Sequence, residues 1–537
     1  MIFKKDIPQP VSMSLIPYSG PWTKEEAGHL LRRSLFGFTY QQLTDTIADG
    51  MAASVTALMT TPALDPPLTY HPDEAIAAFG DTWVNSVYPT GDSQPTENAR
   101  SSSIASWTMQ RCNNPQYSLI EKMCLFWQNH FAVNAQFDSR ATYNYTVLLH
   151  SQAFGNFKQL VKDITIDPAM LLFLNGNSNN RFSPNENFSR ELLELYTIGK
   201  GPQIGPGDYT NYTETDIAEG AKILTGWTVD GLRSTTEPSP LSAFATNFHD
   251  TTTKQLSAHF NNAVIPDGDA NEYSNYLDII FQQDECAYFI CRKLYRFFVN
   301  YDLTQDVEDT VIQDMAQTML ANNYDVLAVL QELLTSEHFY DVALRGCQIQ
   351  GPIEMMFSLF NPSQSGPNFD LDTDYRFSLN MYYYTSNLGQ AYLFPPNVGG
   401  WPAYYQAPSF SQLWLNSTYL KQRFDYIAWL VLYSGPQING NFLKVNALAM
   451  VDSLSVPSDP VSVIDDLCLL FCPKPIDPAE KDTFRLLLTN GLPNFEWTDQ
   501  YNDYQNNPGD TAFSDPVKKR MEIVMHEILI VPQSQTI

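Results

Sequence analysis

The chain predicts a mainly α fold: a large multi-helix globular protein with long irregular loops and little β-structure. Three observations predict it. Apolar residues recur at helical spacing from one end of the 537 residues to the other. Strand-like alternation is scarce outside residues 228 to 266. Hydrophobic content of 44% against 17% charged describes a folded body with a sizeable core, and 29 Tyr, 32 Phe and 9 Trp are available to fill it.

Residues 1–22 form an N-terminal extension with two lysines, but without the apolar stretch and small-residue cleavage site of a secretory signal. A main helical domain is expected over 23–436. A C-terminal helical segment packed on it is expected over 437–537, its boundary marked by the thinning of periodicity over 436 to 460. "TKEEAGHLLRRSLF" opens the first helix, because Thr23 and Glu26 are spaced to satisfy each other's free backbone N–H groups. "SLIEKMCLFWQNHFAV" repeats the device with Ser118 and Glu121. It sets Ile120, Met123, Cys124, Trp127 and Phe131 within one apolar arc facing a core. Further helices are expected at about 139–153, 213–227, 284–299, 303–322, 324–338, 413–434, 461–472, 478–490 and 516–531. The polar or Pro-rich runs "YPTGDSQPTENARSS", "GLRSTTEPSPLSAFATNFHD", "NPSQSGPNFDLDTDY" and "QYNDYQNNPGDTAFSDP" are expected as surface loops. "AYLFPPNVGGWPAYYQ", 391 to 406, is a structured loop, since Pro395, Pro396 and Pro402 block a helix and Gly399-Gly400 permits a tight turn.

A formal charge of -28 repels phosphate backbones, so nucleic acid is not expected as a partner. No run of eighteen apolar residues exists, so membrane insertion is not expected either, and a cytoplasmic place is favoured. Seven cysteines, an odd set without a CxxC pair, read as buried free thiols. The GxSxG elbow, the dinucleotide and phosphate loops, HExxH and the EF-hand pattern are missing, which removes support from the enzyme classes they mark.

"SPNENFSRELLELYTIGKG", 183 to 201, reads as a helix from about 184 to 198, capped by Ser183 and stopped at Gly199. Phe188, Leu192, Leu195 and Tyr196 share one face, whereas Glu186, Arg190, Glu194 and Thr197 share another, with Asn187 and Glu191 beside it. Two readings stand together. The polar face is a solvated run of i,i+4 ion pairs, or Glu191 and Glu194, three apart, share a cation or divide acid and base roles. His130, beside Trp127, is a structural histidine or a ligand or base. His249 and Asp250 form a pair that suits metal binding. Trp401, Tyr404 and Tyr405 plug the core or offer rings for stacking on a sugar.

The ordered pieces "HLLRRSLFGFTYQQL", "EKMCLFWQNHF", "NENFSRELLELYTIG", "AKILTGW", "FHDTTTK", "RKLYRFFV" and "LFPPNVGGWPAYYQ" span about 25 to 423 and resemble a bacterial family known as domain of unknown function 1800. The resemblance implies a largely helical single-chain protein without a settled activity, often exported and often encoded beside a sulfatase-like or phosphatase-like protein. This chain departs from it in showing no export signal and in carrying "WQNHF" where "WHNHF" is common. Residues within the motifs become site candidates, among them His29, Arg32, Asn185, Glu186, Trp227 and Asn397. The catalytic expectation is Glu191, Glu194, His130 and Arg190; the metal expectation is His130, His249 and Asp250, with a divalent ion as cofactor; and the substrate-binding expectation is Asn187, Trp401 and Lys254. The function expected is a hydrolase-like or metal-assisted enzyme acting on a polymer or sugar-type substrate. The alternatives are a non-enzymatic scaffold or accessory protein working with a sulfatase-like partner, or a carbohydrate-binding protein.

Overall fold

Helices carry the chain from Lys24 to Leu529 in the computed structural model, which describes residues 14–113, 116–134 and 137–537. Much of the expected N-terminal extension, 1–13, lies outside the described residues. The fold is mainly α. The sheets among the described residues are two-stranded antiparallel ladders, such as Trp227–Asp230 against Leu241–Phe244 and Lys254–Gln255 against Val264–Ile265. No helix among the described residues is long and apolar enough to cross a membrane.

The first helix, Lys24–Ser34, starts on the reciprocal Thr23 and Glu26 bonds that its spacing predicts. The Ile120–His130 helix starts differently. Leu119 occupies the cap position and Glu121 turns away to pair with Arg111, so the second expected capping box does not form. Its apolar arc is buried as the periodicity requires: Ile120, Met123, Cys124, Trp127 and Phe131 are all within the core.

One expected loop is half helix. Gln94–Cys112 begins inside "YPTGDSQPTENARSS", with a proline in its first turn, where the missing N–H is no loss. Its serines do not break it, because Ser106 donates back to the Ser102 carbonyl and Ser103 to that of Leu68. Similarly, Leu371–Asn387 starts within the expected loop 361–375 and carries "MYYY", while 500–516 contains the ends of Asn494–Asn506 and Thr511–Leu529.

One apolar cluster extends through the chain from Leu15 to Leu529. Residues beyond 437 join it through backbone as well as side chains: Gln350 N–H donates to Gln535 at 3.0 Å and Ile537 N–H to Gln348 at 2.9 Å. No disulfide links the cysteines; all are free, buried except for the half-buried Cys347.

Candidate functional site

The acidic helix ends in a way that explains several motif residues together. Its cap is Asn185, not Ser183: the Asn185 side chain accepts from Asn187 N–H, and α-helix runs Glu186–Glu191 before widening into a π-helical turn, Leu192–Thr197. A helix end leaves carbonyls without intrahelical donors, and leaving them bare inside a core costs on the order of 1–3 kcal/mol each. His130 Nε2 reaches the Tyr196 carbonyl at 3.2 Å, and Lys293 Nζ reaches that of Leu195 at 2.8 Å. Asn211 covers the carbonyls of Ile198 and Gly199. Lys293 also donates to His130 Nδ1 at 3.0 Å, so the imidazole is neutral with its proton on Nε2. Burial and then the Lys293 charge push the His130 imidazole well below its ordinary range, and burial with the neighbouring Arg296 brings the Lys293 ammonium down to about 7.

On the outer face Arg190 makes a bidentate pair with Glu214, at 2.9 and 2.8 Å, with Glu186 at 3.5 Å. Glu194 accepts from Tyr212 at 3.1 Å and lies 3.7 Å from Lys200. Glu191 is half-buried and holds no hydrogen bond or ion pair among the described residues; burial and then Glu194 raise its carboxyl. Asn187 is exposed.

The "FHDTTTK" motif builds a second, fully buried unit. His249 Nδ1 faces the Thr225 carbonyl at 2.9 Å and Nε2 faces Glu272 Oε2 at 2.9 Å, while Lys254 Nζ lies 2.6 Å from Glu272 Oε1. His249, Lys254 and Glu272 are 0% exposed. Both ring nitrogens meet acceptors, which calls for the imidazolium. Burial opposes that charge, but the Glu272 and Thr225 bonds outweigh it and hold the ring above its ordinary value. Among the described residues the ligand atoms close enough to share a cation are those of His249, Asp267 and Glu272, within 4.8 Å, and they include neither His130 nor Asp250. These residues do not fit a divalent ion: the Lys254 ammonium already sits on Glu272, and its charge repels a second cation. Asp250 instead accepts from Thr252, and its carbonyl accepts from Lys254.

Trp401 is buried, and its backbone N–H donates to the Asn129 side-chain oxygen at 2.8 Å. Gly400, at φ +86°, permits this approach: a Cβ there would overlap Asn129. Gln128 accepts from Leu393 N–H at 3.1 Å, so the glutamine of "WQNHF" ties the helix to the same loop. Asn397 and Tyr405 bond each other at the surface. His29 is buried against the Phe339 carbonyl, and Trp227 packs edge-on to Phe244 and Tyr273.

A concavity lies elsewhere, between the Gln94–Cys112 and Ile120–His130 helices: a cleft of about 200 Å³ lined by Asp65, Trp107, Arg111, Glu121 and His150. Trp107 and Arg111 are one helical turn apart, and the guanidinium stacks 4.5 Å from the indole ring. Arg111 binds Glu121 through Nε and Nη2 at 2.9 and 2.7 Å. Its buried Nη1 has no hydrogen-bond partner among the described residues. His150, 5% exposed, likewise makes no side-chain hydrogen bond among the described residues, and burial followed by the Arg111 charge brings its imidazole down to about 4. Sequence reading missed this site because the i,i+4 spacing of Trp107 and Arg111 carries meaning only on a helix, and the start of that helix reads as loop.

The family model described as "Protein of unknown function (DUF1800)" matches residues 29–502. The chain belongs to that family. No curated protein matches it, and no solved structure does. The matched span of this DUF1800 chain takes in the acidic helix, the buried His249 unit, the Trp401 loop and the cleft alike.

Proposed function

We propose that this DUF1800 protein binds an uncharged, hydroxyl-rich ligand of sugar type in the cleft between Trp107 and His150. The observation that carries the reading is the coincidence, in one concavity, of a buried Arg111 N–H without a partner and a neutral His150 that can donate from one nitrogen and accept at the other. The Arg111–Glu121 pair is neutral as a unit, which favours hydroxyl and ether oxygens over an anion. Burial and the Arg111 charge hold the imidazole at about 4, neutral near pH 7, which suits it to hydrogen bonding with hydroxyl groups. Titrating mono- and oligosaccharides into the protein by saturation-transfer NMR tests this. A saturable ligand whose binding falls in R111K and H150Q is expected. Binding undiminished in both variants would place the ligand elsewhere.

A second reading, a hydrolase-like role for the acidic helix, is favoured by Glu191, whose raised carboxyl stands without a partner beside Glu194. In that reading Arg190 and His130 position the helix. An accessory role beside a sulfatase-like or phosphatase-like protein rests on the family resemblance alone.

A further inference from the structure

A second concavity, of about 290 Å³, lies between the first helix, the loop after Leu344 and the end of the Pro460–Phe471 helix. Its charge is opposite to that of the chain. Lys24, Arg32, Arg345, Lys474 and Lys481 line it against Glu25, Asp465 and Asp466, on a protein whose net charge is -28. Two of the acids are already matched: Lys24 lies 3.6 Å from Asp466 and Lys481 lies 2.7 Å from Asp465. Lys474 is exposed and has no ion pair among the described residues.

The floor is the informative part. Arg32 and Arg345 are 8% and 7% exposed. Arg32 donates to the Leu469 carbonyl, and Arg345 donates to Glu26 at 2.6 Å. The Nε of each is buried without a partner. Glu26 is divided between Arg345 and the Thr23 cap, while Arg32 has no carboxylate partner among the described residues; burial, and then the charges of Arg345 and Arg33, lower its proton affinity. A buried guanidinium surplus with unmet N–H groups is costly unless an anion meets it. Gly346, at φ +59°, brings this wall close to the opposite one: a Cβ there would lie 3.1 Å from Pro473.

We infer that this cavity binds a tetrahedral oxyanion, phosphate or sulfate, free or as the head of a small ester, held by Arg32 and Arg345 at its floor and Lys474 at its rim. Multiple donors from separate segments suit an anion with several oxygens better than a halide, and the volume exceeds that of a bare ion, leaving room for an ester. The site is distinct from the Trp107 cleft and stands whether or not that cleft binds sugars.

The test titrates inorganic phosphate, sulfate and glucose 6-phosphate into the full chain at fixed ionic strength, following the melting temperature and calorimetric heat. A saturating rise in Tm with phosphate or sulfate is expected, not reproduced by chloride. K474E should weaken binding about fivefold, and R345K, which loses the planar fork, about tenfold. Should R345K fail to fold, ³¹P line broadening on the wild type and K474E decides alone. Tighter binding of the sugar phosphate than of the free ions identifies an ester as the ligand; equal affinity identifies the ion. A shift matched by chloride, or one unchanged in K474E and R345K, overturns the proposal.

Discussion

Glu272→Gln is the sharpest probe of the buried His249 unit. In the native protein the Glu272 side chain receives His249 at 2.9 Å, Lys254 at 2.6 Å and Gly268 N–H at 3.3 Å, with no exposure to water. The amide keeps the shape and removes the charge, leaving two cationic side chains buried against it. Breaking one half of such a unit costs about 3–5 kcal/mol. With roughly 2.1 cal/mol/K of unfolding entropy per residue, over 537 residues, and one unfolding transition, Tm falls by about 3–4 °C. Scanning fluorimetry and urea midpoints measure it. The double variant E272Q/K254M should recover part of the loss, because the uncompensated ammonium is gone. The pH dependence carries a sign as well. His249 is raised in the folded state, so its contribution is fully present below the unfolded value near 6.5 and is lost as pH rises through the folded one. E272Q should therefore cost most at acid pH. A variant within about 1 °C of wild type across pH 5–8 would refute the view that this unit is a strut.

Lys293 has the opposite sign. Its folded value of about 7 lies below the ordinary 10.5, so the unfolded chain holds more protons between them and this group's contribution to stability rises with pH across that window. The wild-type minus K293M difference in urea midpoint should change between pH 7 and 10; a flat difference contradicts the burial of this ammonium. Gly400→Ala, at φ +86° and against Asn129, should lower stability by about 1–3 kcal/mol, seen in denaturant midpoints. Arg190→Ala, although central to its motif, should cost less than about 1 kcal/mol, because its side chain is 31% exposed and its pair with Glu214 is solvated.

The helical class, the first capping box and the buried arc of the Ile120–His130 helix were legible because each follows from local spacing. The Gln94–Cys112 helix was not, since a Ser-rich sequence reads as loop until tertiary neighbours accept its hydroxyls, as Leu68 does for Ser103. The acidic helix was placed to within two residues, yet its π turn and its closure by His130 and Lys293 depend on groups more than 60 residues away. The same holds for "FHD": adjacency in sequence suggested His249 with Asp250, whereas Glu272, 23 residues on, is what the imidazole meets. The Trp107 cleft was hidden for a further reason. Its defining features are a donor without a partner and an uncharged imidazole, and neither leaves a mark in a sequence.

Sugar-ligand titration of H150Q beside E191Q, each checked for native Tm, separates the two places where this protein could act. Binding lost in H150Q and retained in E191Q is the predicted result. Retention in H150Q with loss in E191Q would contradict the cleft and return the function to the acidic helix.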